Sequence, residues 1–211
     1  MSLIDDLQWR YAAKRLNGNA VPDDVLKRLL EATRLAPSSF GLQPWSVVHV
    51  RDAALRRHLY DTAAPQPQVV EGSDLLVFAV HDTDYYRQVD DHIARTAQTQ
   101  GVAESELDGF RRMIKGVLEQ QGDRAAHLAW ASQQAYLGLG VAIAAAAAER
   151  VDASPMEGFD AGALDAALGL DKRGLKSRVL LALGYRDEAR DPGADRAKVR
   201  PAMAEFVHRL P

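Results

Sequence analysis

Two groups of residues in this chain have the types and spacing to bind an anion or a flat ligand. Arg10, Lys14 and Arg15 cluster just ahead of an Asn17-Gly18-Asn19 turn. Three cations so placed form either a solvated face or an anion site, because a guanidinium clamps a phosphate through paired hydrogen bonds. The second group lies in Leu35 to Val50, LAPSSFGLQPWSVVHV. Pro37 cannot continue a helical hydrogen-bond ladder, and it pushes Ala36 out of the helical region. Gly41 permits backbone conformations closed to other residues, and Ser38, Ser39 and Gln43 add hydrogen-bonding groups. The loop is therefore either an ordinary Ser-Ser turn or a surface built to approach a planar ligand. His81, Asp82, Asp84 and Asp90-Asp91-His92 come nearest to a metal pattern, but their spacing matches no standard site. Carboxylates on an exposed helix account for them, and no metal is expected.

The composition narrows the chemistry further. The chain has 211 residues, a net charge of -3 and no cysteine. Disulfides, thiolate metal sites and cysteine catalysis are thereby excluded. The charge gives no reason to expect nucleic acid or an anionic membrane as partner. MSLIDDLQWR carries early acids and no apolar core, so no secretory signal is read there. The apolar run Ala135 to Ala148 is shorter than the ~20 residues of a membrane helix. A cytoplasmic protein of one domain, residues 1–211, is the expectation.

The elements that must position these groups follow from periodicity. Residues 3–13 suit a short helix, and Pro22 with Asp23 and Asp24 opens one that runs to about Ala36. Strands are expected at Trp45–Val50, at Asp74–His81 (DLLVFAVH, buried on both faces) and at Ser177–Tyr185. Ala53–Thr62 reads as a helix, and Pro65-Gln66-Pro67-Gln68 as a break. Residues 82–121 form two helices near the pocket, parting at Gly101 or Gly109. Asp123–Arg150, apolar almost all round after Tyr136, reads as a buried central helix. Its Gly138-x-Gly140-x-x-Ile143 lacks a third glycine and a preceding strand, so it is no dinucleotide fingerprint; close helix packing explains the glycines better. Pro155 and Gly158 bracket a turn, Asp160 caps a helix to Leu168, and 186–211 is a charged extension with a short helix at Ala202–Leu210.

No nucleophilic triad, zinc motif, P-loop or paired-carboxylate signature appears, so either a cofactor carries the chemistry or there is none. Four separated pieces, in order, resemble the FMN-dependent NAD(P)H nitroreductases: Arg10 to Lys14, PSSFGLQPW (37–45), PMEGFD (155–160) and Lys198-x-Arg200. WASQQAY (130–136) is similar as well, and the resemblance covers nearly the whole chain. It implies an α+β fold with a central, mainly antiparallel sheet flanked by helices, in an intertwined homodimer with FMN in two interface pockets.

The resemblance also implies roles. Arg10, Lys198 and Arg200 would hold the FMN phosphate, with Tyr11 and Ala12 beside them. Lys14 would lie near the pyrimidine edge of the ring, where negative charge gathers on reduction, and Gln68 would reach the same edge. The Glu157 and Gly158 backbone N–H groups would face N5 and the adjacent carbonyl, with Pro155 and Met156 leading into that turn. The Glu157 side chain is not the catalytic acid. Pro37, Ser38, Ser39, Gly41 and Gln134 would belong to the other half of the pocket, which the family builds from its second subunit. Phe40 would form an apolar lid over the substrate, or else belong to the core. Ala12, Tyr11, Gly41 and Pro65 depart from the commoner residues, which bears on substrate choice and redox tuning.

The activity implied is transfer of hydride from NAD(P)H to FMN, followed by two-electron reduction of a nitroaromatic or quinone acceptor, a ping-pong cycle. The alternatives are another flavin reaction on the same fold, such as reductive dehalogenation or flavin processing, or a non-catalytic FMN-binding protein.

Overall fold

The structure is a computed structural model that describes residues 2–210. Four strands form its sheet: β1 (Trp45–Val50), β2 (Asp74–His81), β3 (Asp152–Met156) and β4 (Leu175–Gly184), in spatial order β1-β2-β4-β3. Every pairing is antiparallel, with Trp45 opposite Val80, Leu76 opposite Leu181 and Pro155 opposite Leu181 from the other side. The α+β architecture expected from the sequence is the one observed.

The central strand β2 explains the layering. Its side chains alternate between the two faces, as the pleat requires. Leu76, Phe78 and Val80 enter one core, with Trp45 and Leu139; Leu75, Val77 and Ala79 enter the other, with Leu59 and Leu164. The first face is covered by α2 (Asp23–Arg34) and α7 (Arg124–Ala148), and the second by α3 (Ala53–Thr62), α4 (Pro67–Glu71) and α8 (Ala161–Leu168). A strand covered on both sides needs the unbroken apolar run that DLLVFAVH supplies. Residues 82–121 carry α5 (Tyr85–Gln100) and α6 (Asp108–Gln121), joined at Gly101, whose φ of 70° ends the first helix. Their own small core holds Leu42, Val89, Ile93, Ile114 and Leu118.

Several elements differ from their sequence expectation. The first helix, α1, spans only Leu3–Trp9, because Arg10 is extended and the next residues hydrogen-bond to distant partners. ASPM, expected in a turn, pairs as β3, an edge strand where Pro155 loses no ladder bond it needs. Pro67, expected in a break, opens the short α4 at its first turn, a position that does not use a proline N–H. The C-terminal helix shrinks to α9, Met203–Phe206.

Helix α7 buries one side only. Ala131, Ala135, Gly138, Leu139 and Ala142 pack on the sheet, while Gln133, Tyr136, Leu137 and Gly140 stay exposed at helical spacing. Gly138 is required by the packing: a Cβ there would lie 2.4 Å from the Trp45 ring. Gly140 has nothing within 4 Å of such a Cβ.

Candidate functional site

The residues from Arg10 to Leu16 run as an extended segment held by four distant groups. Ser154 Oγ donates to the Ala13 carbonyl at 2.5 Å, which ties the segment to β3. The buried carboxylate of Asp191 accepts the Lys14 and Arg15 N–H groups at 2.6 and 3.0 Å and the Gly193 N–H at 2.7 Å. Glu71, at the end of α4, accepts the Leu16 N–H and pairs with the Arg15 guanidinium at 2.5 Å. Arg186 is held by Asp152 at 2.6 Å and lies over the rings of Trp9 and Tyr11, 4.3 and 4.4 Å from their centroids.

This scaffold gathers cations. Arg10 is held below its ordinary pKa by burial first, then by Arg200 and Arg186, against the opposing pull of Asp152. Lys198 is lowered by burial and then by Arg10, Arg200 and Arg186. Arg186 has its acid in Asp152, whereas Arg10, Lys198 and Arg200 have no carboxylate partner among the described residues. Lys198 reaches only the Gln8 carbonyl, and Arg200 only the Val199 carbonyl. The Arg10 Nε and the Tyr11 hydroxyl are buried with no hydrogen-bond partner. A cavity of about 310 Å³ opens here between Trp9, Tyr11, Arg186 and Lys198. Mutually repelling cations and buried donors without partners suit a phosphate group, since a buried donor left unpaired costs about 1–3 kcal/mol.

Of the predicted ring-edge residues, Lys14 lies in the same extended segment as Arg10, and Gln68 lies on α4. Gln68 is 97% buried, and its side chain makes no hydrogen bond among the described residues. The Lys14 side chain is exposed. After Pro155 and Met156 in β3, the chain turns at Glu157-Gly158. Gln66 Nε2 donates to the Gly158 carbonyl at 2.8 Å, and the Phe159 N–H closes on the Glu157 carbonyl at 2.9 Å. The Glu157 and Gly158 N–H groups have no acceptor among the described residues. Pro65 and the turn line a cavity of about 560 Å³. By their chemistry, the cations suit an anionic group, and the turn's donors and Gln68 suit a polar ring edge.

Ser38, Ser39 and Gly41 form a separate group. Gln134 Oε1, buried on α7, accepts the Ser39 N–H at 2.8 Å, and Ser38 Oγ accepts the Gln43 N–H at 2.8 Å. Phe40 and Gln43 adopt φ of 58° and 47°, and Gly41 70°. Left-handed backbone in two non-glycine residues costs of order 1–3 kcal/mol each, and persists where the surroundings over-determine it. Phe40 is partly buried against the core of α5 and α6. Gln134 and Tyr136 stand about 200° apart around α7, and Tyr136 donates to the Glu157 carboxylate. The Ser38–Gly41 loop and the Glu157–Gly158 turn thus attach to opposite sides of one helix. A single chain does not bring the two predicted halves together.

Sequence reasoning did not find Asp152, Asp191, Gln66 or Tyr136, which brace the segments around the candidate site. Only the Asp191-Pro192-Gly193 turn signal marks one of them. A further cavity, about 460 Å³, lies between the start of α7, the end of β2 and α5, and contains none of the predicted residues. Its polar lining is already committed: Asp82 to Arg124 and Lys176, and His127 to the Leu118 carbonyl. Asp90 likewise pairs with Lys115 and Arg111. Among the described residues no cluster of histidine and carboxylate side chains could hold a metal, and no helix is long and apolar enough to cross a membrane.

Known proteins are similar to this chain in sequence and fold. The model of the Nitroreductase family matches residues 7–185. The major NAD(P)H-flavin oxidoreductase of Aliivibrio fischeri is 29% identical over 97% of each chain. An NADH dehydrogenase of Thermus thermophilus is 33% identical over 83% of this chain and 82% of its own. Among solved structures, a proposed nitroreductase from Exiguobacterium sibiricum in complex with FMN superposes with a TM-score of 0.82 at 20% identity, covering 100% of this chain and 98% of the other. Its likeness establishes the fold. With a family match spanning most of its length, the chain belongs to the Nitroreductase family.

Proposed function

We propose that the protein is an FMN-dependent NAD(P)H oxidoreductase that reduces nitroaromatic or quinone-type acceptors by two electrons in a ping-pong cycle. The observation that carries this reading is the occurrence, among the described residues, of three cations with no carboxylate partner, two buried donors with no hydrogen-bond partner and two backbone N–H groups with no acceptor. Names among the relatives, an NAD(P)H-flavin oxidoreductase and an NADH dehydrogenase, point the same way. When bound, FMN would accept a hydride from NAD(P)H and pass two electrons to the acceptor.

The chain's own residues bind, orient and shield. Arg10, Lys198 and Arg200 would hold the phosphate, with Tyr11 donating beside them. The Glu157 and Gly158 N–H groups would hydrogen-bond the N5 edge of the ring. Lys14 and Gln68 would serve its pyrimidine edge, where Lys14 stabilises the negative charge gained on reduction. Ser39 and Gly41, held by Gln134, would close the pocket from a second chain, which keeps bulk water from the ring and strengthens each charge interaction there.

What one chain leaves uncovered supports a homodimer. Tyr136, Leu137 and Gly140 make an exposed stripe on α7 that admits a second helix at close range. In the C-terminal extension Val199, Met203, Phe206 and Leu210 are 89, 71, 72 and 88% exposed, so they cover nothing of their own chain. Initial rates measured against both NAD(P)H and acceptor test the cycle. Parallel double-reciprocal lines are expected, and intersecting lines would exclude a ping-pong order. A monomer in sedimentation analysis would remove the two-chain pocket.

A further inference from the structure

The turn that offers its N–H groups to the ring is braced on two sides. Its main chain is fixed by Gln66 on the Gly158 carbonyl and by the Asp160 N–H on the Ala63 carbonyl, each 2.8 Å. The Glu157 carboxylate is held by the phenol of Tyr136 on α7. Neither group has another hydrogen-bond partner among the described residues. We propose that Tyr136 is a positioning residue: it anchors the Glu157 carboxylate to α7 and so keeps a negative charge away from the space that the Glu157 and Gly158 N–H groups face. This deepens the flavin reading and rests on it for its redox consequence, though not for the clamp itself.

The physical argument concerns where charge sits during reduction. Two free backbone N–H groups form a small positive patch, which favours electron density arriving opposite them. A carboxylate released from Tyr136 is only one residue's length from that patch. It would turn back to accept from the free N–H groups or sit beside the incoming charge, and either outcome disfavours reduction. Tyr136 is suited to the task because its phenol is pushed up to about 12, by burial first and then by the hydrogen bond and charge of Glu157. It therefore stays a donor throughout the neutral range.

The test compares Tyr136→Phe, Glu157→Gln and the double variant with the parent protein. With FMN bound, the two-electron reduction equilibrium of Tyr136→Phe is expected to fall about tenfold, a midpoint about 30 mV more negative for a two-electron couple. Glu157→Gln and the double variant should return to within about threefold of the parent, because the charge that causes the fall is gone. Loss of packing alone would lower the double variant as much as Tyr136→Phe. An unchanged midpoint in Tyr136→Phe, or a fall that persists in the double variant, overturns the proposal. In the FMN-free protein, amide exchange at Phe159 and Asp160, whose N–H groups are hydrogen-bonded to the Glu157 and Ala63 carbonyls, should quicken severalfold in Tyr136→Phe, and unchanged exchange there overturns the clamp. A parent protein that fails to hold FMN refutes the proposed function instead, while the exchange measurement still decides the clamp.

Discussion

Replacing Lys198 and Arg200 together by alanine should separate ligand binding from stability. Both side chains are exposed, and each hydrogen-bonds only a backbone carbonyl of its own surroundings. Both also repel Arg10, whose pKa is lowered in part by Arg200. In the FMN-free protein, their removal therefore sacrifices no ion pair and relieves crowding of like charge. Stability should stay within about 0.5 kcal/mol of the parent, as for surface changes generally. Towards a phosphate the same two groups would each supply a charge-assisted hydrogen bond, about 1.5–3 kcal/mol apiece. Their joint loss then weakens FMN binding by about 3–6 kcal/mol, roughly 10²–10⁴-fold at 1.4 kcal/mol per decade. Titration of apoprotein with FMN, followed by flavin fluorescence, gives the affinity, and chemical denaturation gives the stability. Parent-like FMN affinity in the double variant would refute this placement of the phosphate. So would a large loss of apoprotein stability accompanied by unchanged binding.

Two further outcomes follow from the packing and the charges. Gly138→Ala forces a methyl into the Trp45 ring and should cost about 1–3 kcal/mol, measured by urea denaturation; Gly140→Ala, with open space around it, should cost the isolated chain nothing comparable. Asp74 is fully buried, and burial raises its pKa, but hydrogen bonds from His49, Ser73 and Arg51 outweigh this and leave it below the usual carboxylate value. Its stabilising contribution is present above the unfolded pKa near 3.8 and is lost as pH falls through the lower folded value. Asp74→Asn should therefore flatten the acid limb of the stability curve, and an acid limb unchanged from the parent would contradict the assignment.

What was legible in the sequence was what local physics enforces. DLLVFAVH could be read as a doubly buried strand because both faces of β2 lie in cores, and Asp160 as a cap because its carboxylate accepts the Ala163 N–H three residues on. The strand Asp152–Met156 escaped because its acid, serine and proline suit an edge strand stabilised by pairing with β4, not by its own pattern. The first helix was read too long for a related reason. Arg10–Leu16 is extended because Ser154, Asp191 and Glu71 capture its backbone, and Ser154 is 141 positions away from Ala13. The Tyr136–Glu157 bond likewise depends on α7 crossing the end of β3. Motif resemblance picks out residues expected to face a ligand, whereas residues such as Asp152, Asp191 and Tyr136, which brace the segments around them, are set by topology. The reading of α7 as buried all round failed on Leu137 and Gly140, whose apolar character serves a face this chain leaves open.

The central claim is that this surface binds FMN and passes it electrons from NAD(P)H. Anaerobic titration of the FMN-loaded protein with NADH or NADPH, followed through the visible flavin absorbance, tests it most directly. The account predicts bleaching by about one reductant per flavin and return of the colour on adding a quinone or nitroaromatic. A protein that takes up no FMN, or a bound flavin that neither nucleotide bleaches, would contradict it.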